Sequence, residues 1–255
     1  MSEHIEVSRD GNLMAVVLNR PDKKNALTDA MYGTLVEALE TAQANDKVRA
    51  VVIRGAGDTF CAGNDIGDFL AAASSGDIAK ANVFRFIRLL ATFGKPLLAG
   101  VQGKAVGIGT TLLLHCDYAV LAEDAQLTTP FVGLGLVPEA ASSQLLPAMV
   151  GHSRAFAMLA MNEGMDAGEA KAAGLANAVV PVAQLQEAVE SAARRIAALP
   201  PGAVQATKAL MRDGDALAAV VMKEAEVFAR RLQSAEAREA FMAFMEKRAP
   251  DFSKG

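Results

Sequence analysis

The chain has 255 residues, of which 52% are hydrophobic and 21% charged, so it can bury a sizeable core and is not of the disordered class. Its 25 basic and 29 acidic residues give a net charge of −4, which argues against a general nucleic-acid binder. The most apolar stretch, Val101 to Ala122, is interrupted by Lys104, His115 and Asp117. This excludes a membrane span of about 20 unbroken apolar residues there.

Strands and helices alternate as far as about Pro181, which is typical of an α/β protein. The turn-forming pair Asp10-Gly11 predicts a hairpin between Ile5–Val7 and Leu13–Leu18. β-branched runs and helical spacing then predict the next elements. In order, these are a helix from Thr28 or Asp29 to about Ala44, a strand at Val48–Arg54, a helix at Lys80–Phe93, a strand at Leu97–Val101, a helix at Thr110–His115, a strand at Tyr118–Ala122 and a helix after Pro138.

Beyond Pro181 the pattern predicts helices only, with Asp215 and Ser234 as N-caps for two of them. These helices span Val182–Leu199, Ala203–Arg212, Ala216–Gln233 and Ala235–Arg248. We therefore predict two regions. Residues 1–199 form the α/β body with the active site, and residues 200–255 form a helical oligomerisation region.

Cysteine and histidine content argues against disulfide and metal chemistry. The two cysteines, Cys61 and Cys116, do not form a disulfide framework, and the three histidines lie far apart in the sequence. The first residues, Met1 to His4, lack a basic region followed by an apolar run. We expect a cytoplasmic protein without a metal ion.

Two glycine-rich turns, at residues 61–67 and 103–109, each follow a predicted strand. Backbone N–H groups from two such turns that converge on one point would form an oxyanion hole, whereas composition alone favours tight packing at strand ends. The second turn contains Gly107-Ile108-Gly109, but the third glycine of a dinucleotide-binding loop would fall at Leu112. A dinucleotide site is therefore not predicted.

Several motifs occur in a fixed order along the chain: Asn19-Arg20-Pro21, Asn25-Ala26-Leu27, Phe60 to Asp65, Gly103 to Gly109, Cys116-Asp117 and Ala167 to Ala170. Together they resemble the crotonase family, the enoyl-CoA hydratase/isomerase superfamily, over nearly the whole chain. The resemblance implies a spiral of repeated ββα units closed by C-terminal helices that build trimers. It also implies that two N–H groups hold the enolate of an acyl-CoA thioester, and here these belong to Asn64 and Ile108.

The residues that distinguish reactions within this superfamily point away from hydration. Hydratases carry two glutamates, at positions where this chain has Thr111 and Phe131. The segment containing Glu139 and Ser142-Ser143 instead resembles Δ3,Δ2-enoyl-CoA isomerases of the peroxisomal type, which implies that Glu139 is the catalytic base. Considered without the resemblance, Glu139 is a favourable carboxylate in the first turn of a helix.

One carboxylate suffices for isomerisation, since a single base can remove a proton from C2 and return it to C4 on the same face. An apolar wall of Phe131, Leu134 and Leu136 would exclude water and raise the pKa of Glu139. Three alternatives stay open. They are another acyl-CoA isomerisation of the aromatic or ring-epoxide kind, hydration, and a non-catalytic acyl-CoA-binding or RNA-binding protein.

The resemblance further implies substrate contacts, while each lysine among them has a solvated surface role as its alternative. The implied substrate or CoA contacts are Lys23, Asn25, Ala26, Ala62, Gly63, Asp65, Ile66, Lys95, Phe131 and, from a neighbouring subunit, Lys247. Coenzyme A is part of the substrate, and no separate cofactor is implied. The expected assembly is a homotrimer or a dimer of trimers, with no nucleic-acid or membrane partner.

Overall fold

A computed structural model of the protein describes residues 2–68 and 81–254. Within them, the larger sheet has the strand order β1-β2-β3-β4-β6-β9 and the smaller has the order β5-β7-β8. The strands are β1 Ile5–Asp10, β2 Leu13–Leu18, β3 Ala50–Gly55, β4 Leu97–Val101, β5 Lys104–Val106, β6 Tyr118–Ala122, β7 Gln126–Thr128, β8 Met165–Asp166 and β9 Ala178–Val180.

The helices surround these sheets and dominate the C-terminal part. They are α1 Asp29–Ala44, α2 Asn82–Thr92, α3 Ile108–Thr111, α4 Ser142–Val150, α5 His152–Met161, α6 Ala167–Ala172, α7 Leu185–Ala197, α8 Pro201–Met211, α9 Gly214–Leu232 and α10 Ala235–Glu246. Short 3₁₀ turns lie at Pro21–Lys23, Leu112–His115, Val132–Leu134, Val182–Gln184 and Phe252–Lys254.

The large sheet begins with an antiparallel hairpin, in which Ile5 pairs with Leu18, and continues with parallel pairs. The central strand β4 is a fully buried apolar run, and the first four residues of β3, Ala50 to Ile53, are apolar and buried too, as expected for parallel strands covered on both faces. Helix α7 covers one face, where Val189 is buried in one cluster with Val52 and Leu98. The main core lies on the other face, beneath α1, α2 and α9.

The predicted α/β fold class is confirmed, and several element boundaries differ from prediction. The predicted turn at 103–109 contains the strand β5, because Ala105 pairs with Leu127 of β7. The helix predicted directly after Pro138 begins only at Ser142. The N-cap of α9 is Asp213, whose side chain accepts from the backbone N–H of Ala216, so the prediction of Asp215 was wrong.

Three other predicted helix boundaries concern α10, α3 and α2. The Ser234 cap of α10 is confirmed, since its side chain accepts from Ala237 N–H. The predicted helix at Thr110–His115 starts earlier, as α3, and continues as the 3₁₀ turn Leu112–His115. The predicted start of another helix at Lys80 lies outside the described residues.

The helices after Pro200 share the core of the α/β body. Leu217, Val221 and Phe228 on α9 are buried in the same cluster as Ile5 of β1. Other apolar side chains of this region are exposed, among them Leu210 at 89%, Met211 at 82%, Phe244 at 58% and Met245 at 67%. The division at residues 199/200 stays a prediction. Of the helices in the described ranges, none has the length and apolarity needed to cross a membrane.

Candidate active site

The two glycine-rich turns lie against each other. Cys61 N–H donates to the carbonyl of Lys104 at 3.0 Å, and Val106 N–H donates to the carbonyl of Cys61 at 2.9 Å. A Cβ atom on Gly109 would lie 2.7 Å from the Cys61 carbonyl oxygen, so only glycine fits there. The sequence therefore places two strand-to-helix turns side by side.

Asn64 occupies the first turn in an extended bridge with Leu27. Leu27 donates to the carbonyl of Gly63 and accepts from Asp65 N–H, both at 2.8 Å. In this parallel pattern the flanking residues make both bonds, so the N–H of Asn64 itself points away from Leu27. The Asn64 side chain is fixed by Tyr32, whose hydroxyl donates to Oδ1 at 2.5 Å.

Ile108 begins α3, so its N–H has no acceptor within the helix. The residue before it, Gly107, has φ 55° and ψ −118°, a conformation that glycine adopts without a Cβ clash. Thr110 N–H and Thr111 N–H both donate to the Gly107 carbonyl at 2.9 Å and close the first turn. Isoleucine at 108 therefore retains the helix-start N–H that the predicted oxyanion hole requires.

Glu139 lies on the turn before α4 with 8% of its surface exposed. The hydroxyl of Thr111, one helical turn after Ile108, donates to its Oε1 at 2.5 Å. Burial raises the pKa of Glu139 to about 8. The Thr111 hydrogen bond opposes this rise, and the charge of Glu224 adds to it. This carboxyl group can therefore exchange a proton close to neutral pH.

Two titratable groups close enough to interact with Glu139, the Tyr32 phenol and the Cys61 thiol, stay uncharged near neutral pH. Phe131 is buried, and its ring edge lies 3.9 Å from where a Cβ on Gly107 would stand. Burial, with the nearby charges of Cys61 and Glu139, raises the pKa of Tyr32 well above its ordinary value. Burial likewise raises the pKa of Cys61 to about 12. The phenol and the thiol thus stay protonated while Glu139 titrates.

Residues 8–255 match the enoyl-CoA hydratase/isomerase family. The chain belongs to this family. Relatives include enoyl-CoA delta isomerase 2 of Rattus norvegicus, 36% identical over 97% of this chain, although the chain spans only 64% of that protein. The 2,3-dehydroadipyl-CoA hydratase of Escherichia coli is 35% identical, with 99% of both chains covered. A crystal structure of an enoyl-CoA hydratase/isomerase from Pseudoalteromonas atlantica superposes with TM-score 0.93 at 37% identity, covering 98% of this chain and 100% of that one.

In this member of the enoyl-CoA hydratase/isomerase family, the first loop is held by its own side chains. Asn25 is fully buried, accepts from Arg20 N–H at 2.8 Å, and donates to the carbonyls of Ala56 and Thr59 at 2.8 and 2.7 Å. Its side chain therefore shapes the loop, which leaves backbone atoms for any contact with CoA. Lys23 is exposed at the end of this loop.

The first glycine-rich turn supplies the next group of predicted contacts. Asp65 forms an ion pair with Arg20 at 2.8 Å, which lowers the pKa of the carboxyl group. Ala62 donates its N–H to Lys24 O at 3.0 Å, and Ile66 packs against the core. Gly63, with φ 92°, completes the turn. The structure thus brings Ala62 to Ile66 together with the loop of Lys23 to Ala26.

Of the two remaining predicted contacts, the structure contradicts Lys95, while Lys247, predicted to serve a neighbouring subunit, stays a prediction. Lys95 is buried, and its Nζ donates to the carbonyls of Ala42, Asn45 and Val48 at 2.7, 2.7 and 2.9 Å. All three ammonium protons are used inside the protein, so the geometry contradicts a CoA contact by this side chain. Lys247 is exposed after the end of α10, about 15 Å along the helix from Ala237 beside Gly135.

Sequence reasoning missed Tyr32, His115 and Glu224 as parts of this site. A signal for Glu224 exists, because it shares the face of α9 that carries the buried Leu217, Val221 and Phe228. A carboxylate in an apolar helix stripe is rarely buried without partners. Among the described residues, no cluster of three or more His, Cys, Asp or Glu side chains could hold a metal ion.

Proposed function

We propose that this protein is a Δ3,Δ2-enoyl-CoA isomerase, which converts 3-enoyl-CoA into 2-enoyl-CoA without a separate cofactor. The observation that carries the proposal is the environment of Glu139, a buried carboxyl group with its pKa raised to about 8 and bound to Thr111 on the helix that Ile108 begins. A base poised near neutral pH suits both removal and return of a proton.

The reaction then balances with one protein group. The Glu139 carboxylate removes a proton from C2, the C2–H bond breaks, and the negative charge moves to the thioester oxygen. The N–H groups of Asn64 and Ile108 donate to that oxygen and stabilise the enolate. Glu139, now protonated, gives the proton to C4, and the double bond lies between C2 and C3. No electron leaves or enters the substrate.

Hydration is the competing function, because one relative is named a hydratase. Water addition of the hydratase kind uses two carboxylates aimed at a water molecule. The two corresponding positions here are Thr111, which donates to Glu139, and Phe131, which is buried. An apolar ring in place of the second carboxylate disfavours a bound water, so these residues favour isomerisation.

Substrate contacts beyond the reacting atoms form a further part of the proposal. Backbone groups of Ala26, Ala62 and Ile66 lie on the adjoining loops and are proposed to contact CoA, with exposed Lys23 near its phosphates. Lys247 is proposed to serve a neighbouring subunit of a trimer. The exposed apolar side chains of α8 and α10 support an assembly of this kind.

The decisive experiment compares turnover of 3-hexenoyl-CoA with hydration of crotonyl-CoA on one preparation. We expect isomerisation with negligible hydration, and a loss of about 10²- to 10⁴-fold in isomerase kcat in Glu139→Gln with KM nearly unchanged. The exposed Glu226→Gln is the matched control. Hydration as fast as isomerisation, or normal turnover in Glu139→Gln, would overturn the proposal.

A further inference from the structure

The turn that presents Glu139 has an unfavourable backbone. Ala140 and Ala141, which follow it, have φ 56° and 55°, in the left-handed region. Residues with a Cβ avoid this region, and alanine has no polar side-chain atom that could compensate locally. Ala141 is also the N-cap of α4, where it provides no side-chain hydrogen bond. Groups from elsewhere in the fold must therefore hold this turn.

Glu224 of α9 supplies the missing hydrogen bonds. Its Oε2 accepts from Ala141 N–H at 2.6 Å, and its Oε1 accepts from Ser143 N–H at 3.0 Å and from the Ser143 hydroxyl at 2.5 Å. The residue is only 8% exposed. A side chain 83 positions away in sequence thus caps the helix that follows Glu139.

The turn is also held by His115, which lies in the 3₁₀ turn Leu112–His115. His115 Nε2 donates to the carbonyl of Ala140 at 2.7 Å, and the Arg212 guanidinium lies 3.4 Å from His115 Nδ1. Burial and the Arg212 charge lower the pKa of His115 to about 3, so the ring stays neutral. The turn is therefore held through its N–H groups by Glu224 and through a carbonyl by His115.

We propose that Glu224 is a positioning residue that acts through Glu139, holding the Ala140–Ala141 turn so that the Glu139 carboxyl group stays against Thr111. This inference rests on the proposed function, because it requires Glu139 to be the base. Removing Glu224 would let the turn relax toward ordinary helical dihedrals. The carboxyl group would then leave its place beside α3, while the residues proposed to contact CoA stay where they are.

The buried position of Glu224 supports a requirement beyond packing. The carboxylate stands in the stripe of Leu217, Val221 and Phe228, where an apolar residue would be the ordinary choice. Burying a charge is unfavourable unless hydrogen bonds compensate it. Both carboxylate oxygens of Glu224 accept hydrogen bonds from Ala141 and Ser143, in the segment that follows Glu139. A general packing role would not need a carboxylate.

The pH profile can report on this role because few groups near Glu139 change charge. The titratable groups that face it are Tyr32, Cys61 and Glu224, and His115 faces the next residue. Burial raises the pKa of Tyr32 and of Cys61 and lowers the pKa of His115, so these three stay uncharged near neutrality. Burial raises the pKa of the Glu224 carboxyl group as well. Glu139, with its pKa near 8, therefore titrates in the neutral range while Tyr32, Cys61 and His115 keep their charge state.

The test compares Glu224→Gln and Glu224→Ala with the same substitutions at exposed Glu226 on the same helix. With 3-hexenoyl-CoA, we expect kcat to fall about 10- to 100-fold in the Glu224 variants while KM changes less than about 2-fold. The Glu226 variants should match the wild type. In Glu224→Gln the apparent pKa of kcat/KM should fall, because a charge that raises the pKa of Glu139 is gone.

A double variant separates positioning from general damage. If Glu224 acts through Glu139, Glu224→Gln should cause no further loss in a Glu139→Gln background. An equal loss in both backgrounds, or wild-type kcat and pH profile in Glu224→Gln, would overturn the proposal. If the Glu224→Ala chain does not fold, the Gln variant and Ser143→Ala, which removes one of the three bonds, carry the test.

The same series distinguishes the two proposals. Normal turnover in Glu139→Gln rejects the proposed base and with it the positioning role. An inactive Glu139→Gln combined with a fully active Glu224→Gln rejects only the positioning role.

Discussion

Glu139→Gln should make the protein more stable at alkaline pH while it removes activity. The unfolded chain releases the Glu139 proton near the ordinary pKa of 4.5, whereas the folded protein holds it to about pH 8. Between these values the folded state binds a proton that the unfolded state has lost, so the free energy of unfolding falls as pH rises. Above about pH 8 both states are ionised, and the destabilisation is complete.

The size of the effect follows from the two pKa values. Each tenfold difference in proton affinity corresponds to about 1.4 kcal/mol, so a rise from 4.5 to about 8 costs up to about 5 kcal/mol. Glutamine carries no charge, and its Oε1 can still accept from Thr111. The stability difference between the variant and the wild type should therefore grow by about 4 kcal/mol between pH 5 and pH 9.

Urea unfolding followed by circular dichroism, at one fixed protein concentration, measures this difference at each pH. Glu226→Gln on the exposed face of α9 provides the control and should give a difference that does not change with pH. If the wild type and Glu139→Gln keep the same stability difference from pH 5 to pH 9, the pKa of Glu139 is not raised by burial. Glu139 is then not a base poised near neutral pH.

Thr111, Lys95 and the assembly of the chain can each be tested separately. Thr111→Val removes the hydrogen bond that lowers the pKa of Glu139, so the rise of kcat/KM with pH should move to higher pH; an unchanged profile would contradict this. Lys95→Met removes three hydrogen bonds to the carbonyls of Ala42, Asn45 and Val48 and should cost about 2–4 kcal/mol in urea unfolding with KM for the CoA thioester unchanged; a raised KM at full stability would restore the predicted CoA contact. Light scattering should give three or six times the 26.6 kDa chain mass, and a fully active monomer would refute the predicted assembly.

Composition and periodicity are sufficient to predict the α/β class, since parallel strands such as Leu97–Val101 are uninterrupted apolar runs. The small strand Lys104–Val106 could not be predicted. Three residues are too few to show the alternation of apolar and polar side chains, and the pairing partner is distant in the sequence. The turn after Glu139 was missed for a related reason. Alanine favours helices, so Ala140 and Ala141 indicate a helix and only the tertiary contacts force left-handed dihedrals.

The candidate site was predicted through a resemblance rather than through pattern. The roles of Glu139, Asn64 and Ile108 are implied by the match of their motifs to a family, and these roles stay predictions. The prediction of a CoA contact by Lys95 was wrong. The sequence gives no sign that the ammonium group of this lysine donates its hydrogen bonds to carbonyl groups inside the protein. Glu224 was missed because one carboxylate among 29 acidic residues stands out only when its helix face is known.

Ile5 and Phe241 are buried in one core, although 236 positions separate them along the chain. This core can therefore form only after most of the chain has been synthesised. A ribosome delivers β1 first and α10 much later, so the apolar face beneath α9 stays uncovered during most of synthesis. Contacts between such distant positions close slowly, and the exposed surface is prone to aggregation meanwhile. Glu224 belongs to the same late segment, so the nascent chain carries Glu139 long before it carries the group that braces it. Catalytic competence should therefore appear abruptly, at the docking of the last helices, rather than grow with chain length.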